Sequence, residues 1–363
     1  FLVWGVATLF WAQKLDRGME QIAQYALRLV LYLLLVVNEV NTRRTLDRLM
    51  RLLAVSSCVL VLTGVGTVLF EGYEAGTRLQ VLAMDQNAFG VRVLVTMPGV
   101  LWQVMQASKR QRAVRMVLSV AFVLLALVLV ALSGSRGTAI SWLASLLAFW
   151  FWKPTRPWGK LGLLIVAAAV ISAPFIFSTI VHRFYVTDAG QLGGRQVIWW
   201  ATWLLIRDHL WSGVGIGNAY YSVIPYLGML TRLWGREMRS MHNPILAIWA
   251  STGIPGLLLY LGVLVSAIGL FVRQYCQCHK TETPPLTPYF ALVSCVFVGV
   301  MLWWIKGGGA EYDPSYFLLL AFLLIPSHLN IEDLDRATER DPQQDGRGKR
   351  RPGDLVARPT SPP

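Results

Sequence analysis

Six residues of this 363-residue chain have the types and positions for chemistry on an anionic substrate: Arg136, Arg195, Arg232, Arg236, Arg239 and His242. Arg136 sits in Ser133-Gly134-Ser135-Arg136-Gly137, a very tight turn between two apolar runs. The small residues let the flanking helices approach, and the arginine is left near the boundary of the apolar zone. A lone arginine there can simply reach back to water along its own aliphatic stem. The turn is no nucleophile elbow, because no sheet is available to present the serine. Arg195 opens a stretch, Arg195 to Leu210, that reads as one helix containing Trp199, Trp200 and Trp203. Such a tryptophan-rich helix with polar ends suits the headgroup layer, with its indoles at the interface and Arg195 at phosphate depth.

His242 precedes Asn243-Pro244, a capping residue followed by one suited to the first helical position. A helix is therefore expected to begin just after the histidine. Its amides and dipole favour an anion there. Together with Arg232, Arg236 and Arg239 they disfavour imidazolium, which leaves a neutral imidazole able to act as a base. Taken alone, such a histidine is an ordinary polar surface residue. Taken together, guanidiniums, a helix N-terminus and an imidazole suit a diphosphate at headgroup depth and a hydroxyl to be activated, since arginine forks match phosphate oxygens bidentately.

The elements that must position these residues are membrane helices. The chain is 55% hydrophobic and 15% charged, with a mean hydropathy of +0.50. A soluble globule carries roughly a quarter charged residues. The uncharged run Met116–Ser133 is close to the ~20 residues that cross a bilayer as a helix. Similar runs recur along the chain, which argues against a single buried core helix. We read ten apolar segments: 1–12, 20–38, 52–70, 88–106, 116–133, 137–152, 161–180, 243–271, 288–305 and 315–327. Arg28 and Arg92 fall inside two of them and are expected to face the bundle or a wet cavity. The stretch 243–271 is interrupted by Thr252-Gly253-Ile254-Pro255-Gly256, which predicts a short helix, a kink and then the span.

The connections 41–51, 107–115, 153–160 and 272–287 are all basic, and they alternate with the others. By the positive-inside rule they are cytoplasmic. This places the turn at 133–137 and the long loop 181–242 on the outer, periplasmic face. Residues 1–327 then form one multi-span unit, an all-α polytopic helix bundle with a large extracytoplasmic loop containing an interfacial helix. Residues 328–363 are expected to be a disordered cytoplasmic tail with a basic run, Gly346 to Arg351. The chain starts at Phe1 in an apolar run with no signal peptide, so its N-terminus is expected to be truncated, with spans missing.

Several other patterns reduce to bland readings. The net charge of +13 sits in short clusters between apolar runs, so topology explains it better than nucleic-acid binding. Gly213-Val214-Gly215-Ile216-Gly217-Asn218 lacks the preceding strand of a dinucleotide fingerprint and reads as a glycine-rich re-entry turn. Cys276-Gln277-Cys278-His279 is half a metal site without a second half and reads as loop. The outer acids are scattered, so no metal and no cofactor is called for.

At these residues the sequence resembles the O-antigen ligase and polymerase superfamily of multi-span glycosyltransferases. The resemblance rests on Ser133 to Gly137, Gly194 to Trp199, Asp208-His209-Leu210-Trp211-Ser212-Gly213-Val214-Gly215-Ile216-Gly217, His242-Asn243, Gly253 to Gly256 and Asp85 to Gly90, across about residues 80–270. It implies a donor glycan on undecaprenyl diphosphate and an acceptor hydroxyl, on another glycan or a lipid A core, outside the cytoplasmic (inner) membrane. It also implies that Arg136 and Arg195 hold the diphosphate, that His242 is the base, and that no metal takes part. An inverting transfer follows, with Arg232, Arg236 and Arg239 adding field or binding the acceptor. Ligase and polymerase are not separated by these residues. A transporter of anions or lipid-linked glycans is the rival from another class, but it should show paired repeats and midplane sites, and neither is visible.

Overall fold

The computed structural model describes residues 1–71, 79–81, 86–160, 162–164, 167, 195–231, 243–280, 286–307 and 314–329. These residues are helical, with no strand among them. Six helices are long and apolar enough to cross a membrane, among them Leu15–Glu39, Arg43–Phe70, Arg110–Leu132 and Pro244–Gln277. Leu2–Trp11, Gly137–Phe151 and Pro314–His328 are shorter apolar helices. Leu52, Val55, Val59 and Leu62 on one helix and Val117 and Leu118 on another are more than half exposed. Apolar faces of that extent suit lipid as the solvent. The protein is an all-α membrane protein. Most of the expected segment 161–180 lies outside the described residues.

We name the helices α1 (Leu2–Ala7), α2 (Leu15–Glu39), α3 (Arg43–Gly66), α4 (Gln86–Met105), α5 (Lys109–Leu132), α6 (Arg136–Ala148), α7 (Arg195–Asp208), α8 (Ala219–Ser222), α9 (Ile224–Thr231), α10 (Pro244–Lys280), α11 (Thr287–Gly307) and α12 (Pro314–His328). Helix α4 is the hub. Val91, Val93, Leu94 and Met97 on it are fully buried. Glycines set the closest approaches to it: Gly99 lies on the α3 backbone at Met50 and Ala54, and Gly299 of α11 lies on Ser141 and Ser145 of α6.

The basic connections gather at one end of the bundle. The Arg43 guanidinium lies 4.7 Å over the Trp102 ring. The Trp102 indole donates to Asp47 at 2.9 Å, and Arg115 donates to the Gln103 carbonyl at 3.0 Å. Trp102 meets Tyr289 edge-on at 6.5 Å, Tyr275 meets Phe290 at 5.6 Å, and Trp152 meets Tyr275 at 5.1 Å. Four connections far apart in sequence thus come to one end, as alternating spans require. Much of this basic sequence is helix rather than loop. Helix α3 begins at Arg43 behind a Thr42 capping box, and α5 begins at Lys109. Residues 272–280, expected as loop with the cysteines, continue α10 to Lys280. No Gly or Pro interrupts them until Pro284, and helices run on until something stops them. Arg28 and Arg92 are half-buried, and Arg28 donates to Gln24 at 3.2 Å.

Candidate functional site

The site is built at the other end, and its first part is the start of α6. Gly134 has φ of +63°, the left-handed value that ends α5. The Ser135 hydroxyl accepts from the Thr138 amide at 3.3 Å, and Ser133 donates to the Val130 carbonyl at 2.7 Å. Arg136 therefore occupies the first position of a capped helix. Gly90 of α4 lies against Thr138, and the Trp142 indole donates to the Gly90 carbonyl at 2.9 Å. The expected tight turn is present, and two serines and a glycine are what shape it.

The second part pairs α7 with α10. Asn243 accepts from the Ile245 and Leu246 amides at 3.0 and 3.2 Å, so α10 starts at Pro244. The cap expected beside His242 is present. The predicted kink is present too: Gly253 has φ 67° and ψ −173°, and it divides α10 into a short limb and a long one. Helix α7 spans Arg195–Asp208, within the stretch expected to be one helix. It runs beside the short limb in the same direction. Trp203 meets Trp249 edge-on at 5.7 Å, and Ile254 donates to the Leu210 carbonyl at 3.1 Å. Ala201, Leu205, Ala247 and Ala250 form the seam between them.

Arg195 and the residue following His242 are thus brought to the same side of one helix pair. Helix α6, which starts at Arg136, belongs to another part of this end, against α4 and α11, where a β-carbon on Gly137 would lie 4.0 Å from Trp303. Trp304 in turn packs on Tyr260 of α10 at 5.4 Å, which joins the two parts. His242, Arg232, Arg236 and Arg239 lie outside the described residues.

The glycine-rich turn has a role that the sequence reading missed. It clasps the N-terminal hairpin. Gly213, Gly215 and Gly217 all have positive φ, at 64°, 94° and 76°. A β-carbon on Gly215 would lie 2.6 Å from the Ala12 side chain, and one on Gly217 2.7 Å from the Arg17 carbonyl. The Ile216 amide donates to the Thr8 hydroxyl at 2.9 Å. Asn218 is fully buried; it accepts from the Lys14 amide at 2.7 Å and donates to the Lys14 and Ile216 carbonyls at 3.2 and 3.0 Å. The glycines are needed for close backbone packing and for their conformation, not for a phosphate. Asn218→Ala removes all three bonds. It is expected to lower stability by at least ~1–3 kcal/mol, the typical penalty for leaving a buried polar group unpaired; a thermal melt in detergent measures it.

At the end of α7, Tyr226 donates to Asp208 at 2.7 Å. Partial burial, and then that carboxylate, raise the phenol above its ordinary pKa. The bond ties α9 to the segment leading into the glycine turn.

Comparison with known proteins agrees with this architecture. Residues 121–261 match the family model described as O-antigen ligase. That span contains all six candidate residues. The O-antigen ligase of Salmonella typhimurium strain LT2 is 27% identical over 206 residues, covering 52% of this chain and 48% of that protein. The chain therefore spans about half the length of the curated relative it matches. The motifs, the membrane helices and both matches agree, and together they support the O-antigen ligase superfamily for the domain at residues 121–261.

Proposed function

We propose that this protein transfers a glycan from a polyprenyl diphosphate, undecaprenyl diphosphate in bacteria, to an acceptor hydroxyl at the periplasmic face of the inner membrane. One observation carries the reading. Two helices begin side by side, one at Arg195 and the other at the cap following His242, which suits a phosphate group and a base acting on one substrate. Arg136, at the start of α6, and Arg195 hold the diphosphate and stabilise the charge that develops on it as the glycan leaves. His242 removes the acceptor proton as the hydroxyl oxygen attacks the anomeric carbon and the bond to the diphosphate breaks. Attack opposite the leaving group inverts that carbon. Arg232, Arg236 and Arg239 strengthen the field on the diphosphate or bind the acceptor.

The same reading orients the chain. The basic end is cytoplasmic and the α7–α10 end is periplasmic, with Trp200 and Trp203, both substantially exposed, at headgroup depth. The relative's name favours a ligase, whose acceptor is a lipid A core; a polymerase acting on glycan repeats is the second reading within the superfamily.

The test is a transfer assay on protein in nanodiscs, with a short glycan on undecaprenyl diphosphate, candidate acceptors and excess EDTA. Release of undecaprenyl diphosphate is expected only with an acceptor, at a rate the chelator leaves unchanged. The productive acceptor distinguishes ligase from polymerase. If donor binds but no acceptor releases the diphosphate, and liposomes show the lipid being flipped, the protein is a transporter.

A further inference from the structure

Helix α7 and the short limb of α10 end in the same way, and each completes the other. Leu210 and Val214 are four residues apart, as are Ala250 and Ile254. In an uninterrupted helix the carbonyl of each pair's first residue would accept from the amide of its second. Here the partners are exchanged. The Val214 amide donates to the Ala250 carbonyl at 2.9 Å, and the Ile254 amide donates to the Leu210 carbonyl at 3.1 Å.

A left-handed glycine makes each exchange feasible: Gly213 at φ 64° and Gly253 at φ 67°. The two glycines lie against each other's turns. A β-carbon on Gly213 would stand 2.5 Å from the Ser251 carbonyl and the Thr252 amide. One on Gly253 would meet the Trp211 carbonyl and stand 2.9 Å from the Gly213 amide. Pro255 has no amide hydrogen, so α10 could not have closed this turn by itself in the ordinary way. A third element seals the joint, because the Trp4 indole donates to the Thr252 carbonyl at 2.7 Å.

We propose that this reciprocal cap is the positioning device of the transferase site. It locks α7 to the short limb of α10 and so sets the separation between Arg195 and Asn243, the residue that follows His242 in the chain. The inference rests on the function proposed above, in which Arg195 and His242 act on one substrate. From the Trp203–Trp249 contact, α7 runs back eight residues to Arg195 and α10 runs back six to Asn243. At ~1.5 Å per residue these distances are about 12 and 9 Å, so both helix starts lie on the same side of that contact. Gly213, Gly253 and Trp4 are positioning residues; none belongs to the helix starts where the chemistry is placed. A slipped cap shifts Arg195 without removing its charge and leaves Arg136 in place on α6, so it lowers turnover more than donor affinity. A misplacement of ~1 Å is enough to reduce a rate about 100-fold.

The experiment uses the full chain in nanodiscs, with nitroxides at Gln196 and Ile245 introduced as unnatural amino acids. Their separation is measured by pulsed electron paramagnetic resonance, alongside kcat and the donor KM of the unlabelled protein. One narrow distance is expected in the parent. Gly213→Ala should broaden it and lower kcat by roughly 100-fold, with the donor KM changed by less than about 3-fold. Trp4→Phe removes the indole donor with the five-membered half of its ring and keeps an aromatic side chain, so it carries the test if Gly213→Ala does not fold; it should broaden the distance less and lower kcat by about 3- to 10-fold. An unchanged distance in both variants, or a broadened one with unchanged kcat, overturns the positioning role and leaves the transferase reading intact. A parent with one narrow distance and no transfer with any acceptor removes the transferase reading, and the positioning role with it. The distance arm and the activity arm therefore separate the two failures.

Discussion

His242→Ala should lower glycan transfer by about 10²- to 10⁴-fold, the usual contribution of a positioned general base, while donor binding stays near the parent value. The asymmetry follows from the roles assigned to the site. On the function proposed above, Arg136 and Arg195 hold the diphosphate, so removing an imidazole that serves the acceptor should leave the charge contacts in place. Arg195→Ala should behave differently, reducing both donor affinity and turnover, because its guanidinium binds the diphosphate and also stabilises the leaving charge. The pH profile supplies a second readout: with an imidazole as the base, protonation should slow transfer in acid solution, and His242→Ala should lose that acid limb. Full activity in His242→Ala would falsify the base assignment.

The second large effect is expected from Gly253→Ala. The backbone there, φ 67° and ψ −173°, lies in a region that is essentially glycine's alone. Strain of that kind costs about 1–3 kcal/mol before any contact is considered. The new methyl would also run into the Trp211 carbonyl, which belongs to the other half of the cap. Neither side can move cheaply, because the Leu210, Val214, Ala250 and Ile254 backbones are tied together by the exchanged hydrogen bonds. The variant should melt well below the parent in detergent, and any folded fraction should have lost the pairing of α7 with α10. Gly228→Ala is the control: a β-carbon there meets open space, so its melting point should be close to the parent's. Equal melting of Gly253→Ala and parent would show that the cap is not what joins the two helices.

Much of this architecture follows from local chemistry, which is why it is readable without coordinates. Apolar runs such as Met116–Ser133 need a lipid-like solvent wherever their neighbours lie. Asn243-Pro244 starts a helix because the asparagine satisfies amides two and three residues away. Gly253 and Pro255 break α10 because neither continues a helix cheaply, and Ser135 caps α6 because Thr138 is three residues on. The gathering of Arg43, Arg115, Lys153 and Arg273 at one end needs only alternating spans.

What the glycines touch is a different kind of question, and only the tertiary structure answers it. Gly213 and Gly253 are separated by forty residues, and Gly215 meets Thr8 and Ala12 some two hundred residues away. Positive φ can be suspected from a glycine, but the backbone that approaches it is supplied by a distant segment and leaves no local periodicity. The one trace is that Ser212-Gly213-Val214 and Thr252-Gly253-Ile254 repeat a hydroxyl, glycine, β-branched order. The sequence by itself therefore determined a membrane bundle with its basic ends on one side, and it marked the residues suited to a diphosphate and a base. The tertiary structure decided that Arg195 and the helix following His242 start side by side, because that pairing is made by hydrogen bonds exchanged between two chain segments rather than within either one.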